Sequence, residues 1–238
     1  MRLAVMLLTT VGLLGAETFP VVHVKTAWFD GQGTVEINDE GITFRAKKEK
    51  NSRKWGWLDI QYFDRISEKE FNILTYEDQN RYLGQDRSYR FTITDGTLGD
   101  DLFRRISEKV ARPVTNRVVR PPENVLYEVP VKHLHTFGGC AGMLRFTTDR
   151  IFYVTDHQKD AREWLLDRDV NSVWSADTYR LSVSIYDNNR REFSRTRVYQ
   201  FDLKTPLDQA FYSGLKLKLY NLEVTHLPVA SGSAPGAE

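Results

Sequence analysis

Cysteine is nearly absent from this chain. Cys140 is its single cysteine, so no disulfide can form within the chain, and structural zinc sites built mainly from thiolates are excluded. An excess of charge of either sign is also lacking, because 33 Lys and Arg residues stand against 32 Asp and Glu residues and the net charge is +1. This balance predicts no nucleic-acid partner.

Sequence signatures of catalysis are missing as well. The chain has no nucleophile elbow, no Walker loop, no dinucleotide-binding glycine fingerprint and no zinc-protease helix motif. Its acidic residues are scattered, and their spacing pairs none of them as a general acid and a general base. The sequence therefore predicts a protein that is not an enzyme and that carries no cofactor.

The longest apolar run stands at the start of the chain, from Leu3 to Leu14. It is too short for a membrane-spanning helix, which needs about 20 apolar residues. Met1-Arg2 gives it a basic start, and the small residues Gly15-Ala16 follow it. This order is that of a secretory signal peptide over residues 1–16, and it predicts export to the periplasm or the extracellular space. A buried N-terminal strand or helix and an uncleaved anchor are the alternatives.

Two stretches of the chain share one strand–turn–strand pattern. The first begins at Gly33 and the second at Gly142, 109 residues later, and apolar residues alternate with polar ones in both. Further residues recur at offsets of 109 or 110: Trp55 with Trp164, Asp59 with Asp169, Phe71 with Leu181, and Tyr89 with Tyr199. This shared order predicts that one small β-rich domain occurs twice.

Each copy changes to helical spacing at its end. Apolar residues recur at this spacing from Leu102 to Val110 and again from Leu207 to Leu222. A stretch with three prolines separates the copies and indicates a domain boundary. We therefore expect a signal peptide (1–16), a first domain (17–111), a linker (112–125), a second domain (126–225) and a disordered tail (226–238). Within the first domain, residues 55–60 are predicted to form one strand.

The second copy carries a family resemblance. Gly142-x-Leu-x-Phe-Thr-x-Asp-Arg-Ile-x-Tyr153, followed by Trp164 and Asp169-Val170, resembles the opening of a GRAM-type domain of the pleckstrin-homology (PH)-like superfold. The resemblance implies a mainly β (α+β) fold of two tandem PH-like barrels, each a bent antiparallel sheet capped by a C-terminal helix. The first copy departs from the pattern, with Asn38 in place of the threonine and Gly41 in place of the arginine. Because this superfold includes lipid-binding, peptide-binding and structural members, it does not define a role.

A basic run follows the first strand–turn–strand pattern. Its predicted anion-binding residues are Lys47, Lys48, Lys50, Arg53 and Lys54. PH-like domains often bind phosphoinositides through basic loops, so the run could give weak peripheral contact with a membrane. A charge run is also typical of a solvated loop with no ligand.

A second cation-rich segment lies between two alternating strands of the second copy. It contains Arg190, Arg191, Arg195 and Arg197, and its pattern indicates a long hairpin tip. Exposed loops often carry binding residues. These four arginines are therefore predicted to contact a partner.

Metal-ligand residue types occur at the end of the lead-in strand of the second copy. Alternation along a strand places His133 and His135 on one face, with Cys140 following. Two imidazoles and a thiolate could hold zinc or copper, although no fourth ligand lies at a diagnostic spacing. The alternative is a strand with outward polar residues and a buried cysteine.

These observations lead to one functional prediction and two alternatives. The prediction is an exported, non-enzymatic binding or scaffold protein that recognises a protein or a component of the cell envelope. The first alternative is a peripheral lipid-binding protein that uses the basic run. The second is a metal-binding protein that uses His133, His135 and Cys140.

Overall fold

A computed structural model describes residues 16–24, 31–79, 85–157, 159–186 and 196–225 of the chain. The chain divides into two compact units, residues 1–112 and 113–238. Nearly all of the predicted signal peptide, the whole predicted tail, and Arg190, Arg191 and Arg195 lie outside the described residues.

The described part of the first unit forms seven strands and one α-helix. These are β1 (Glu17–Val24), β2 (Gly31–Asn38), β3 (Gly41–Ala46), β4 (Arg53–Gly56), β5 (Ile60–Ser67), β6 (Glu70–Asp78), β7 (Asp86–Ile93) and α1 (Asp100–Lys109). The strands neighbour one another in the order β5-β6-β7-β1-β2-β3-β4, and every neighbouring pair is antiparallel.

The described part of the second unit begins with a short additional strand, β8 (Val114–Asn116). It continues with β9 (Tyr127–Leu134), β10 (Gly139–Phe146), β11 (Arg150–Val154), β12 (Arg162–Leu165), β13 (Val170–Asp177), β14 (Arg180–Tyr186), β15 (Thr196–Leu203) and α2 (Gln209–Thr225). The order of its longer strands is β13-β14-β15-β9-β10-β11-β12, all antiparallel, and β8 pairs with β12. After β8, the second unit therefore has the same pairing scheme as the first, strand for strand.

The cross-strand registers of the two units also agree. Val35 lies opposite Phe44 in the first unit, and Leu144 lies opposite Tyr153 in the second. Likewise, Phe71 faces Phe91 while Leu181 faces Phe201. Residues that match in the sequence thus occupy corresponding places in the strand pairing, and the predicted mainly β fold is confirmed.

Burial follows the predicted periodicities. In β2, Val35 and Ile37 are fully buried while their neighbours are only partly covered, as expected of a strand with one face on a core. In α1, Leu102, Phe103 and Ile106 are buried at helical spacing. Asp100 and Asp101 occupy its first turn, where carboxylates favour the positive end of the helix dipole.

A glycine in each unit permits a close approach between strands. A Cβ atom at Gly33 would lie 2.2 Å from the Arg45 carbonyl oxygen, and one at Gly142 would lie 2.5 Å from that of Val154. Each position is also covered by the aromatic ring of Phe44 or Tyr153, respectively. The two glycines that open the repeated pattern are therefore there because no side chain fits.

One detail of the sequence prediction is wrong. Residues 55–60 do not form one strand, because β4 ends at Gly56, a 3-10 turn spans Trp57–Asp59, and β5 begins at Ile60. The Asp59 carboxylate accepts a hydrogen bond from the Gly56 N–H at 2.8 Å and so stabilises this turn. The predicted linker also contains ordered structure, since all three residues of β8 are buried.

Neither α-helix in the described ranges is both long enough and apolar enough to cross a membrane.

Candidate functional site

A buried histidine surrounded by aromatic rings lies near the end of β9. His133 is 6% exposed, and its ring centroid lies 5.3 Å from that of Tyr199, 5.2 Å from that of Phe201 and 5.5 Å from that of Tyr153. His133 reaches this place because it pairs with Phe201 of β15 and with Cys140 of β10. The interpretation of His133 as an outward polar residue is therefore wrong.

Four groups that can ligate a metal meet beside this ring, and we call them the thiol–imidazole cluster: His133, His135, Cys140 and Asp160. One potential ligand atom from each lies within 4.8 Å of the others. The His135 Nε2 atom is 3.3 Å from Cys140 Sγ and 3.6 Å from Asp160 Oδ2. Cys140 Sγ is 3.5 Å from the same carboxylate oxygen. The structure thus brings the three residues predicted from the sequence together and adds Asp160.

A phenol supports the cysteine from the core side. Tyr153 Oη lies 3.0 Å from Cys140 Sγ and donates a hydrogen bond of 2.9 Å to the Cys140 carbonyl oxygen. Burial raises the pKa of the Tyr153 phenol and also that of the Cys140 thiol. Burial, reinforced by the nearby His135, lowers the pKa of His133 to about 4, so that this imidazole is neutral at pH 7.

The aromatic surroundings of His133 recur around His23 in the first unit. His23 is 8% exposed and pairs with Phe91, the counterpart of Phe201. Its ring centroid lies 5.3 Å from those of Tyr89 and Phe91 and 5.7 Å from that of Phe44. Both units therefore bury a histidine against the same arrangement of rings.

A carboxylate organises the polar side of the first unit. Glu77 accepts hydrogen bonds from Trp55 Nε1 and from Tyr89 Oη, both at 2.6 Å. The guanidinium groups of Arg53 and Arg87 each approach it to 3.5 Å. Partial burial opposes ionisation of Glu77, but the hydrogen bonds and the two positive charges outweigh it and hold the pKa of the carboxyl below its usual 4.5.

We expect the substitution Glu77→Gln to lower the free energy of unfolding by about 2 kcal/mol at pH 7. Four donors surround this carboxylate, and an amide has fewer acceptor positions for them and carries no charge. The folded-state pKa lies below the unfolded one, so the advantage of the carboxylate is present above the unfolded pKa. It is lost as the pH falls through the folded value. Urea unfolding should therefore show the difference between the two proteins shrinking below about pH 4.5.

The matched control for Glu77 is Glu40→Gln. Glu40 forms an exposed ion pair with Lys54 at 2.7 Å, and exposed pairs contribute about 0.5 kcal/mol. If Glu40→Gln destabilised the protein as much as Glu77→Gln, Glu77 would have no special role in the fold.

The predicted basic run begins in the connection between β3 and β4 and continues into β4, and most of its cations have protein partners. Lys47 donates to Gln32, Lys54 pairs with Glu40, and Arg53 donates to the carbonyl oxygens of Lys50 and Ser52 at 3.2 and 2.7 Å. Lys48 and Lys50 are exposed. The run as an anion or lipid site stays a prediction.

Arg197 is the one predicted partner-contact arginine inside the described ranges. It is exposed on β15, and its guanidinium carbon lies 4.9 Å from the centroid of the Tyr199 ring. With Val198 and the segment His133 to Phe137, it lines an open depression of about 460 Å³ beside the thiol–imidazole cluster. Its contact with a partner stays a prediction.

The chain was also compared with known proteins. No family model and no curated protein sequence matches it. Several solved structures resemble it in backbone, and two of them illustrate the likeness. The Vps36 N-terminal PH domain is 19% identical, covers 45% of this chain and 86% of its own, and gives a TM-score of 0.33. The structure of the Spt16D Pob3N heterodimer is 10% identical, covers 79% of this chain and 97% of its own, and gives a TM-score of 0.26. At these scores neither likeness bears on function.

Proposed function

We propose that the protein is an exported, non-enzymatic binding protein made of two tandem PH-like barrels, each closed by its C-terminal helix. Support for the barrels comes from the chain itself: seven antiparallel strands occur in the same order in both units, and an α-helix with buried apolar residues follows in each. Support for export comes from the signal-like order of residues 1–16. The partner is a protein of the cell envelope or of the extracellular space.

The proposed recognition surface is the edge of β13, and the main evidence for a binding role is that this edge has main-chain groups pointing away from β14. In the described part of the chain, β13 pairs with β14 alone. Residues 172–175 form its regular run, because the register shifts on either side of them. The Ser175 N–H donates to Tyr212 Oη of α2 at 3.0 Å and therefore points away from β14. By the alternation of an antiparallel strand, the N–H and C=O of Val173 point the same way.

An extended peptide segment fits such an edge. Added strands bind through main-chain hydrogen bonds and are selected by contacts with alternate side chains. Trp174 is 37% exposed on β13 and offers a large amphipathic surface beside the edge. The contact between Ser175 and Tyr212 places α2 against the same edge, so the helix forms one wall for the added segment.

Panning a displayed library of random linear peptides against the purified protein tests this proposal. We expect enriched peptides with alternating apolar residues, and we expect Trp174→Glu to weaken their binding at least about tenfold, because it places a charge where an aromatic contact was. The control is Leu58→Glu, at an 84% exposed position of the first unit. Thermal melting of both variants verifies that they are folded.

Two results would reject the proposed function. One is a library that yields no peptide, or only peptides that bind Trp174→Glu as well as the unaltered protein. The other is turnover in a broad panel of ester, peptide, glycoside and phosphate substrates that persists through purification, since the protein would then be an enzyme.

A further inference from the structure

We propose that the second unit binds one zinc ion through the thiol–imidazole cluster: His133, His135, Cys140 and Asp160. This site is independent of the proposed peptide surface. It rests on the spacing of the ligand atoms, on the balance of lone pairs and protons, and on the contrast with the first unit.

Three of the four ligand atoms already have the spacing of a metal site. Zinc bonds of about 2.0–2.3 Å in a tetrahedron put neighbouring ligand atoms roughly 3.3–3.8 Å apart. The three distances among His135 Nε2, Cys140 Sγ and Asp160 Oδ2 are 3.3, 3.5 and 3.6 Å. These atoms therefore form one face of a tetrahedron of the required size. A ring nitrogen of His133 lies within 4.8 Å of all three, and a bound ion would draw it inward to the fourth corner.

The cluster has more lone pairs than protons with which to pair them. The Asp160 carboxylate only accepts, and the single thiol proton of Cys140 can serve one acceptor at a time. The contacts of Cys140 Sγ with His135 and Tyr153 therefore depend on the protons that His135 Nε2 and Tyr153 Oη carry, and the latter already donates to the Cys140 carbonyl oxygen. The buried His133 Nδ1 has no hydrogen-bond partner among the described residues. A buried polar atom without a partner destabilises the fold, because it has lost its hydrogen bonds to water. A cation at the centre would satisfy the lone pairs that hydrogen bonds leave over.

The first unit shows that packing alone does not require this set. His23 has the same aromatic neighbours as His133, yet Gly31 pairs with it where Cys140 pairs with His133. Phe44 stands in place of Tyr153. Asn51 is the counterpart of Asp160. Arg53 pairs with Phe44 as Arg162 pairs with Tyr153, and Asn51 and Asp160 each stand two residues before that arginine. The thiol, the phenol and the carboxylate are thus additions to a shared core.

The donor set and the access to it favour zinc. Two imidazoles, one thiolate and one carboxylate match the borderline softness and four-coordinate geometry of Zn²⁺. The open depression beside His133 and His135 provides an entry path for the ion. Metal binding also removes the proton of Cys140, so the affinity is expected to rise with pH.

Metal titration of the tag-free, metal-stripped protein tests the site. We expect one Zn²⁺ per chain, a rise in melting temperature on zinc addition, and, with Co²⁺ as a spectroscopic substitute, a thiolate-to-metal charge-transfer band in the near ultraviolet. Cys140→Ser should abolish that band. His135→Ala and Asp160→Asn should each weaken zinc binding at least about 100-fold, since even outer-shell groups contribute 10–100-fold.

The connection between β11 and β12, which carries Asp160, supplies matched controls. His157→Ala and Asp156→Asn alter exposed residues of the types found in the cluster, and both should bind zinc as the unaltered protein does. His23→Gln removes the counterpart of His133 from the first unit and should leave the cobalt spectrum unchanged. Because His135 is exposed and Asp160 is half-buried, their variants remain testable even where a change at buried His133 impairs folding.

Two outcomes would overturn the zinc site. One is the absence of the cobalt–thiolate band together with an unchanged melting temperature in excess zinc. The other is equal zinc affinity of the unaltered protein, His135→Ala and Asp160→Asn, which would place the bound metal elsewhere.

Discussion

Replacing Gly142 with alanine is expected to lower the free energy of unfolding by about 3 kcal/mol or more. The new Cβ atom would lie 2.5 Å from the Val154 carbonyl oxygen and 2.6 Å from the ring of Tyr153. The ring is fully buried and its hydroxyl is bonded to Cys140, so neither obstacle can move aside without parting β10 from β11. Urea unfolding followed by tryptophan fluorescence measures the loss. Gly33→Ala should have a similar effect, because it meets the Arg45 carbonyl oxygen at 2.2 Å.

Gly214→Ala is the control for these glycine substitutions. Gly214 lies inside α2 with nothing within 4 Å of its added Cβ. Alanine favours a helix over glycine by about 1 kcal/mol, so this variant should be as stable as the unaltered protein or slightly more so. If Gly142→Ala unfolded at the same urea concentration as Gly214→Ala, the close approach of β10 and β11 would not be required for stability.

Replacing Arg65 with methionine is expected to destabilise the protein by about 3 kcal/mol. Arg65 is fully buried in β5, donates to the Leu98 carbonyl oxygen at 2.7 Å and pairs with Asp100 at 2.6 Å. Its guanidinium also lies 5.3 Å from the centroid of the Phe103 ring. Methionine fills much of the volume but leaves the Leu98 carbonyl without its donor and detaches the start of α1 from the sheet. Differential scanning calorimetry gives the change.

The control for Arg65 is Arg104, which lies on α1, the helix that Arg65 contacts through Asp100. Arg104 pairs with Glu108 at 3.2 Å, but its side chain is 60% exposed. Arg104→Met should therefore change the stability by less than about 0.5 kcal/mol. Arg65→Lys should fall between the two, since an ammonium cannot reproduce the fork that serves both acceptors. Equal stability of the Arg65 and Arg104 variants would contradict an anchoring role for Arg65.

Alternation and helical spacing predicted most of the secondary structure, and the exceptions have identifiable causes. Strand β5 escaped prediction because Asp64 and Arg65 are buried, so polarity does not alternate along it. Strand β8 was hidden by the surrounding prolines, although its three residues are buried. Periodicity detects a strand only when its polar residues face water.

The candidate site was predicted in part. Alternation placed His133 and His135 on one face, but it could not show that the face is buried among aromatic rings. Asp160 comes twenty residues after Cys140, and only the pairing of β10, β11 and β12 brings it within reach. The sequence does contain a signal for the correspondence between His23 and His133, because they are 110 residues apart, the same offset that links Tyr89 with Tyr199.

The glycine at position 31 has a consequence for how such a site can arise. A Cβ atom there would lie 3.7 Å from His23 Cβ and 3.9 Å from its Nδ1, which is ordinary van der Waals contact. The first unit thus has room for a Cβ atom next to its histidine without any shift of the main chain. A histidine that packs among aromatic rings already stands where coordination chemistry needs a ligand.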